Sequence, residues 1–154
     1  MKTIEAGSRA PDFELPDGAG YPVHLAERLA AGPVVLFFYP AAMSGGCTAE
    51  VCHFRDLAAE FAAAGARPIG ISTDAMIQQH RFARSTGIDF PLVSDENGDV
   101  ARAYGVKRKY ITPVKRATFV IDTDGTIREV ISSEWSMTVH ADRALAALAE
   151  RASN

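Results

Sequence analysis

The stretch VVLFFYPAAMSGGCTAEVCHFRD, residues 34–56, decides how this chain is read. Val34 to Tyr39 is an unbroken run of β-branched, leucine and aromatic residues, bounded by Pro33 and Pro40. So short an apolar run between prolines predicts a strand buried on both faces, not a helix. Pro40 ends it, because proline cannot donate to a sheet ladder. Ala41 to Gly46 reads as a loop in which the adjacent Gly45 and Gly46 supply the positive-φ conformations. From about Cys47 the period becomes helical. Val51, Phe54, Leu57, Ala58 and Phe61 share one face, and Gly65 is placed to cap the C-terminus.

Cys47 therefore opens a helix, where unpaired N–H groups and the macrodipole favour an anion. A free thiol is only about 3% ionised at pH 7, so full ionisation gains about thirtyfold in nucleophile, or about 2 kcal/mol. Enzymes typically supply about 8 kcal/mol or more, so catalysis here would need donors aimed at the transition state. Ser44 and the glycine N–H groups just upstream of Cys47 are the candidates. The competing reading is an inert buried cysteine, the common fate of a lone thiol. Cys52, the only other cysteine, borders the apolar face and is equally compatible with simple packing.

Outward from this stretch the pattern alternates. Phe13–Leu15 and Tyr21–His24 read as short strands joined by the turn-rich PDGAG, with a helical turn or two at Leu25–Ala30. Arg67–Ser72 is a second buried strand, and residues 75–85 form a helix after Asp74. Pro91–Ser94 is a short strand, DENG (95–98) a turn and Val100–Tyr104 a short helix. Residues 107–116 are a basic, proline-containing loop. Ala117–Asp122 and Ile127–Ser132 read as a hairpin around TDG, and residues 138–151 as a closing alanine-rich helix. The order β-α-β-α, then β-β-α, predicts an α/β fold with a mixed central sheet flanked by helices.

At 154 residues the chain suits a single domain, 1–154, with a sizeable core. The net charge is −3 and the basic residues are scattered, which argues against nucleic-acid binding. No segment approaches 18 continuous apolar residues, so no membrane span is expected, and MKTIEAGSRAPDFELPD shows no secretory signal. Two cysteines five apart do not make a secreted disulfide framework, so a reducing cytoplasm fits better. They do not match a zinc pattern, and a CxxC dithiol is absent. The four histidines, at 24, 53, 80 and 140, show no partner pattern and read as surface or structural.

P40-x-x-x-S44-x-x-C47, with a second cysteine five residues on and FRD after it, resembles the active-site pattern of the Q-type peroxiredoxins, or bacterioferritin comigratory proteins. GISTD, FPLVSDENGDVARAYGV and KRATFVIDTDGTI extend the resemblance over nearly the whole chain. One departure is Gly45, where the family commonly has proline. The resemblance implies a thioredoxin-like fold and thiol-dependent reduction of hydrogen peroxide and organic hydroperoxides. In that scheme Cys47 is oxidised to a sulfenic acid and Cys52 condenses with it to a disulfide. Thioredoxin or a similar dithiol then resets the enzyme, with no metal, haem or flavin. It further implies that Arg116 stabilises the thiolate and donates to the peroxide, that Glu50 orients Arg116, and that Pro40 and Ser44 shape the loop. Arg55 sits to complete that side, and Tyr39 either flanks the pocket or fills the core. A monomer or weak homodimer is expected. Two other schemes stay open: a one-cysteine peroxidase resolved by an external thiol, and a non-enzymatic binding module on the same fold.

Overall fold

The computed structural model describes residues 2–153. Two short strands, β1 (Glu14–Pro16) and β2 (Pro22–His24), pair antiparallel and lead into α1 (Leu25–Ala31). The turn between them is held by Asp17, whose Oδ1 accepts the N–H groups of Ala19 and Tyr21. The apolar run becomes β3 (Val34–Phe38), followed by α2 (Gly45–Asp56) and α3 (Ala58–Ala63). Then come β4 (Arg67–Ser72), α4 (Met76–Thr86), β5 (Leu92–Ser94) and α5 (Asp99–Ala103). The hairpin is β6 (Ala117–Ile121) and β7 (Ile127–Ser132), and α6 (Val139–Ser153) closes the order.

Five strands form one sheet in the order β5-β4-β3-β6-β7. β3 lies at its centre, parallel to β4 and antiparallel to β6. The sheet is therefore mixed, as the order of elements predicts. β3 is apolar throughout because both of its faces are covered. Val35, Phe37 and Tyr39 point into a core shared with Val51 and Phe54 of α2 and Ala144 and Leu148 of α6. Val34, Leu36 and Phe38 point into the opposite core, with Leu25, Tyr104 and Phe119. The period-2 alternation of a strand sends successive residues to opposite layers.

Two expectations are corrected around α2. The helix begins at Gly45, two residues before Cys47, and the positive φ of the preceding loop falls on Met43 (69°), not on either glycine. Ser44 is extended (φ −71°, ψ 155°) and caps the helix, so both glycines are already helical. The helical stretch also divides. Leu57 leaves helical geometry (φ −99°, ψ 15°), and α3 continues to Ala63, with Gly65 just beyond at φ 72°. The break lets Phe54 and Phe61 stack with centroids 5.5 Å apart.

Phe54 fastens α2 to the sheet by stacking on Phe37 with ring centroids 4.2 Å apart and planes at 10°. It is fully buried. Phe54→Ala should lower the unfolding free energy of the reduced protein by about 3–5 kcal/mol, the range for a buried phenylalanine. Urea denaturation followed by circular dichroism measures it.

Candidate active site

The site lies where the N-terminus of α2 meets the start of β6. Ser44 Oγ accepts the Cys47 N–H at 3.4 Å, and its own hydroxyl donates to Ala41 O at 2.9 Å. Thr48 Oγ1 donates to Ser44 O at 2.8 Å, closing the first turn. Ser44 thus holds the helix terminus with both halves of its hydroxyl. Its proton is turned toward Ala41, so it is not the free donor the sequence suggests. Pro40 follows Tyr39 directly out of the sheet, and Tyr39 is core, its hydroxyl donating to Gln79 Oε1.

Cys47 is fully buried and Cys52 half-buried, and both are free thiols. They occupy one continuous helix. Five helical residues give about 7.5 Å of rise and about 140° of rotation, which separates the Cα atoms by about 8.6 Å. A disulfide needs about 4.4–6.8 Å.

Arg116 precedes β6, and its parity with Thr118 and Val120 sends its side chain to the α2 side of the sheet. There Nη2 donates to Cys47 Sγ at 3.3 Å and Nη1 donates to Glu50 Oε1 at 2.6 Å. Cys47, Glu50 and Arg116 are all buried. Cys47 and Glu50 share a face because they stand three apart on the helix. Glycine at 46 leaves room for the guanidinium: a Cβ there would lie 3.3 Å from Arg116 Nη2 and 3.3 Å from Met137 Sδ, a tight fit that either side chain would have to shift slightly to accept.

Burial pushes the Glu50 carboxyl up to about 7, with the Arg116 charge pulling it down. Arg116 is raised although burial opposes it, because Glu50 and Cys47 lie against its guanidinium. Glu50 Oε2 has no hydrogen-bond partner and lies 3.7 Å from Nδ1 of the fully buried His140. His140 Nε2 lies 2.9 Å from Ser133 O. A carbonyl only accepts, so Nε2 carries the proton and Nδ1 accepts from the Thr118 hydroxyl at 2.8 Å. Burial lowers the pKa of His140 and keeps the ring neutral.

Several site residues escape sequence reasoning. Glu134 Oε1 accepts the Arg116 backbone N–H at 2.9 Å and Arg108 Nη2 at 3.0 Å, fixing the β6 end of the site. His140 is structural, as expected, but it backs onto Glu50, which nothing around it in the sequence indicates. The one available signal was Thr118, a polar side chain in the otherwise apolar ATFVI. Arg55 turns away from the site, toward Thr86 O and Asp56. Among the described residues no cluster of three or more His, Cys, Asp or Glu side chains is arranged to hold a metal ion. No helix among them is long and apolar enough to cross a membrane.

A mixed sheet of this topology flanked by helices is that of the thioredoxin-like oxidoreductases this chain resembles in sequence and structure, and here it brings a buried cysteine at a helix N-terminus against an arginine. The AhpC/TSA family model matches residues 6–130. The chain belongs to this family and, within it, to the peroxiredoxins, which are thiol-dependent peroxidases. It is 56% identical over 148 residues to a putative peroxiredoxin of Mycobacterium tuberculosis, spanning 94% of this chain and 96% of that one. It is 37% identical to peroxiredoxin Bcp of Escherichia coli, covering 99% and 100% of the two chains. The crystal structure of peroxidoxin BcpB from M. tuberculosis superposes with a TM-score of 0.92 at 55% identity, over 96% and 97% of the chains. A bacterioferritin comigratory protein from Xanthomonas campestris, studied for its alkyl peroxide reduction activity, gives 0.83 at 31% identity over 91% and 92%.

The Glu50 shift sets a pH dependence. Its folded pKa of about 7 lies above the ordinary 4.5, so between those values the folded state holds the proton that the unfolded state has released. The Glu50 contribution to stability should therefore fall as pH rises from about 4.5 through 7, by about 3 kcal/mol, while His140, whose pKa burial lowers, contributes in the opposite sense. Glu50→Gln keeps an acceptor for Arg116 but cannot ionise, so its urea midpoint should lack this component when compared with wild type across pH 5–8.

Proposed function

We propose that Cys47 is the peroxide-reacting cysteine and Cys52 the resolving thiol of a peroxidase acting on hydrogen peroxide and organic hydroperoxides. The Cys47 thiolate attacks one peroxide oxygen and the O–O bond breaks. Cys47 becomes a sulfenic acid, and the departing alkoxide or hydroxide takes up a proton to leave as alcohol or water. Cys52 then condenses with the sulfenic acid, releasing water and forming the disulfide. A dithiol protein such as thioredoxin attacks that disulfide and restores both thiols. A cycle through free thiols belongs in a reducing compartment, here the cytoplasm, with the chain acting as one domain, monomeric or weakly dimeric.

The observation that carries this reading is the single guanidinium shared by Cys47 Sγ and Glu50 Oε1. A planar, permanently charged fork held by a buried carboxylate is a pre-organised donor for the charge that develops on the peroxide oxygens. The α2 N-terminus adds its dipole on the same side. Pro40 and Ser44 take structural parts, ending β3 and capping α2.

The separation of the two cysteines in an intact helix favours a second scheme, in which an external thiol resolves Cys47 and Cys52 is a bystander. Stopped-flow peroxide consumption and intact mass separate the two. Cys47→Ser should abolish peroxide reduction in a folded protein, and wild-type turnover in that variant would refute the assignment. After one equivalent of peroxide, the wild type should lose two hydrogens, whereas Cys52→Ser should stop at the sulfenic acid. A Cys52→Ser enzyme cycling at the wild-type rate with thioredoxin would favour the external thiol.

The same separation requires α2 to unwind when the disulfide forms. Amide exchange from Thr48 to Phe54 should lose protection by at least tenfold in the disulfide form relative to the dithiol. Equal protection in both forms, with the disulfide verified by mass, would rule out unwinding.

A further inference from the structure

Ser72, Asp74, Gln79 and Ser94 gather where the C-terminal ends of β4 and β5 meet the start of α4, outside the chain of contacts around Cys47. Ser72 Oγ donates to Asp74 Oδ2 at 2.6 Å and accepts from the Asp74 N–H at 3.2 Å and from Gln79 Nε2 at 2.9 Å. Gln79 Nε2 also donates to Val93 O at 2.7 Å, and the Ser94 hydroxyl donates to Asp74 O. Asp74 is thereby fixed to the C-terminal ends of β4 and β5. From that anchor its Oδ2 accepts the Ala42 N–H at 2.7 Å, across 32 residues of sequence.

Ala42 lies in the loop that presents Cys47. The next residue, Met43, is held at φ 69°, a left-handed conformation that costs a non-glycine side chain free energy. Ser44, the helix cap, follows it. Strain at Met43 pushes this segment out of its present shape, and a charged acceptor on the Ala42 N–H holds it there. The geometry points to Asp74 as a latch on the loop 40–44, a positioning residue that sets how readily the first turn of α2 opens after Cys47 is oxidised.

This inference rests on the resolving role proposed for Cys52, and it governs the fate of the sulfenic acid. In the opened form, Cys47–SOH and Cys52–SH condense to the disulfide and one water. In the closed form, Cys47–SOH meets a second peroxide, ROOH, and becomes the sulfinic acid with release of ROH. A tighter latch favours the second route and a looser latch the first.

Two variants act in opposite directions. Asp74→Ala removes the acceptor. Gly45→Pro tightens the same segment from the other side. Position 45 is the first residue of α2, where proline suits the helix. Ser44 is extended, as a residue before proline must be, and a Cβ at 45 meets open space. Reduced full-length protein is mixed with hydrogen peroxide, quenched on the millisecond scale and read by intact mass for sulfenic acid, disulfide and sulfinic acid. Asp74→Ala should form the disulfide about tenfold faster or more, the worth of a hydrogen bond to a charged group. It should also give less sulfinic acid and slower first oxidation of Cys47. Gly45→Pro should form the disulfide about two- to fivefold more slowly, with more sulfinic acid. Disulfide formation within twofold of wild type in Asp74→Ala, or both variants moving it the same way, overturns the latch. If Asp74→Ala fails to fold, a Gly45→Pro protein that resolves as fast as wild type overturns it alone. A wild type that makes no disulfide refutes the role of Cys52 and the latch with it. A wild type that makes one, with both variants unmoved, refutes the latch only.

Discussion

The site depends on one guanidinium buried between a sulfur and a carboxylate. Taking Arg116 and Glu50 out of water costs several kcal/mol per ion, returned only if the geometry is good and most of the polar atoms find partners. Here two of the guanidinium nitrogens do: Nη1 on Glu50 at 2.6 Å and Nη2 on Cys47 at 3.3 Å. Arg116 Nε and Glu50 Oε2 do not. The incompleteness is visible in Glu50, which burial pushes up to about 7 despite the arginine. Such a pair is poor as a source of stability and well suited to holding charge where a reaction develops it.

Much of the surrounding structure serves to place that guanidinium. The backbone of Arg116 is pinned by Glu134. Its neighbour on the same sheet face, Thr118, binds His140, whose neutral ring closes the side of Glu50 that the arginine leaves open. The glycine at 46 leaves the space into which the guanidinium comes. Each of these groups reaches the site from a different element, so the geometry exists only once β6, α2 and α6 have docked.

A tension follows from using a helix terminus as the anion site. The ordered first turn that presents Cys47 to Arg116 also keeps Cys52 about 8.6 Å away, beyond the reach of a disulfide. In the proposed two-cysteine cycle, one conformation serves attack on peroxide and another serves resolution. The segment from Pro40 to Gly46 carries features of both. The Ser44 cap and the Asp74 contact hold it closed, while Met43 is strained and Gly45 occupies a position where proline would stiffen the helix start. Phe54, stacked between Phe37 and Phe61, holds the far half of α2 on the sheet.

The elements whose signal is local were legible in the sequence. Val34–Phe38 declares a two-sided buried strand through its composition alone, and Arg67–Ser72 and Ile127–Ser132 are found at their predicted residues. The motif around Ser44 and Cys47 marked the site, because loop and helix-start chemistry is written in consecutive residues. What the sequence could not decide was which residue bears the loop strain, since two adjacent glycines offer a cheaper place for a positive φ than Met43. It could not decide what Ser44 does with its proton either, because that depends on where Ala41 O lies. Nor could it separate His140 from three other histidines, or find Glu134 and Asp74. Their partners lie between 18 and 90 residues away, at Arg116, Ala42 and Glu50. Local sequence sets backbone preference and periodicity, but contacts at such range exist only after sheet order and strand register bring the segments together.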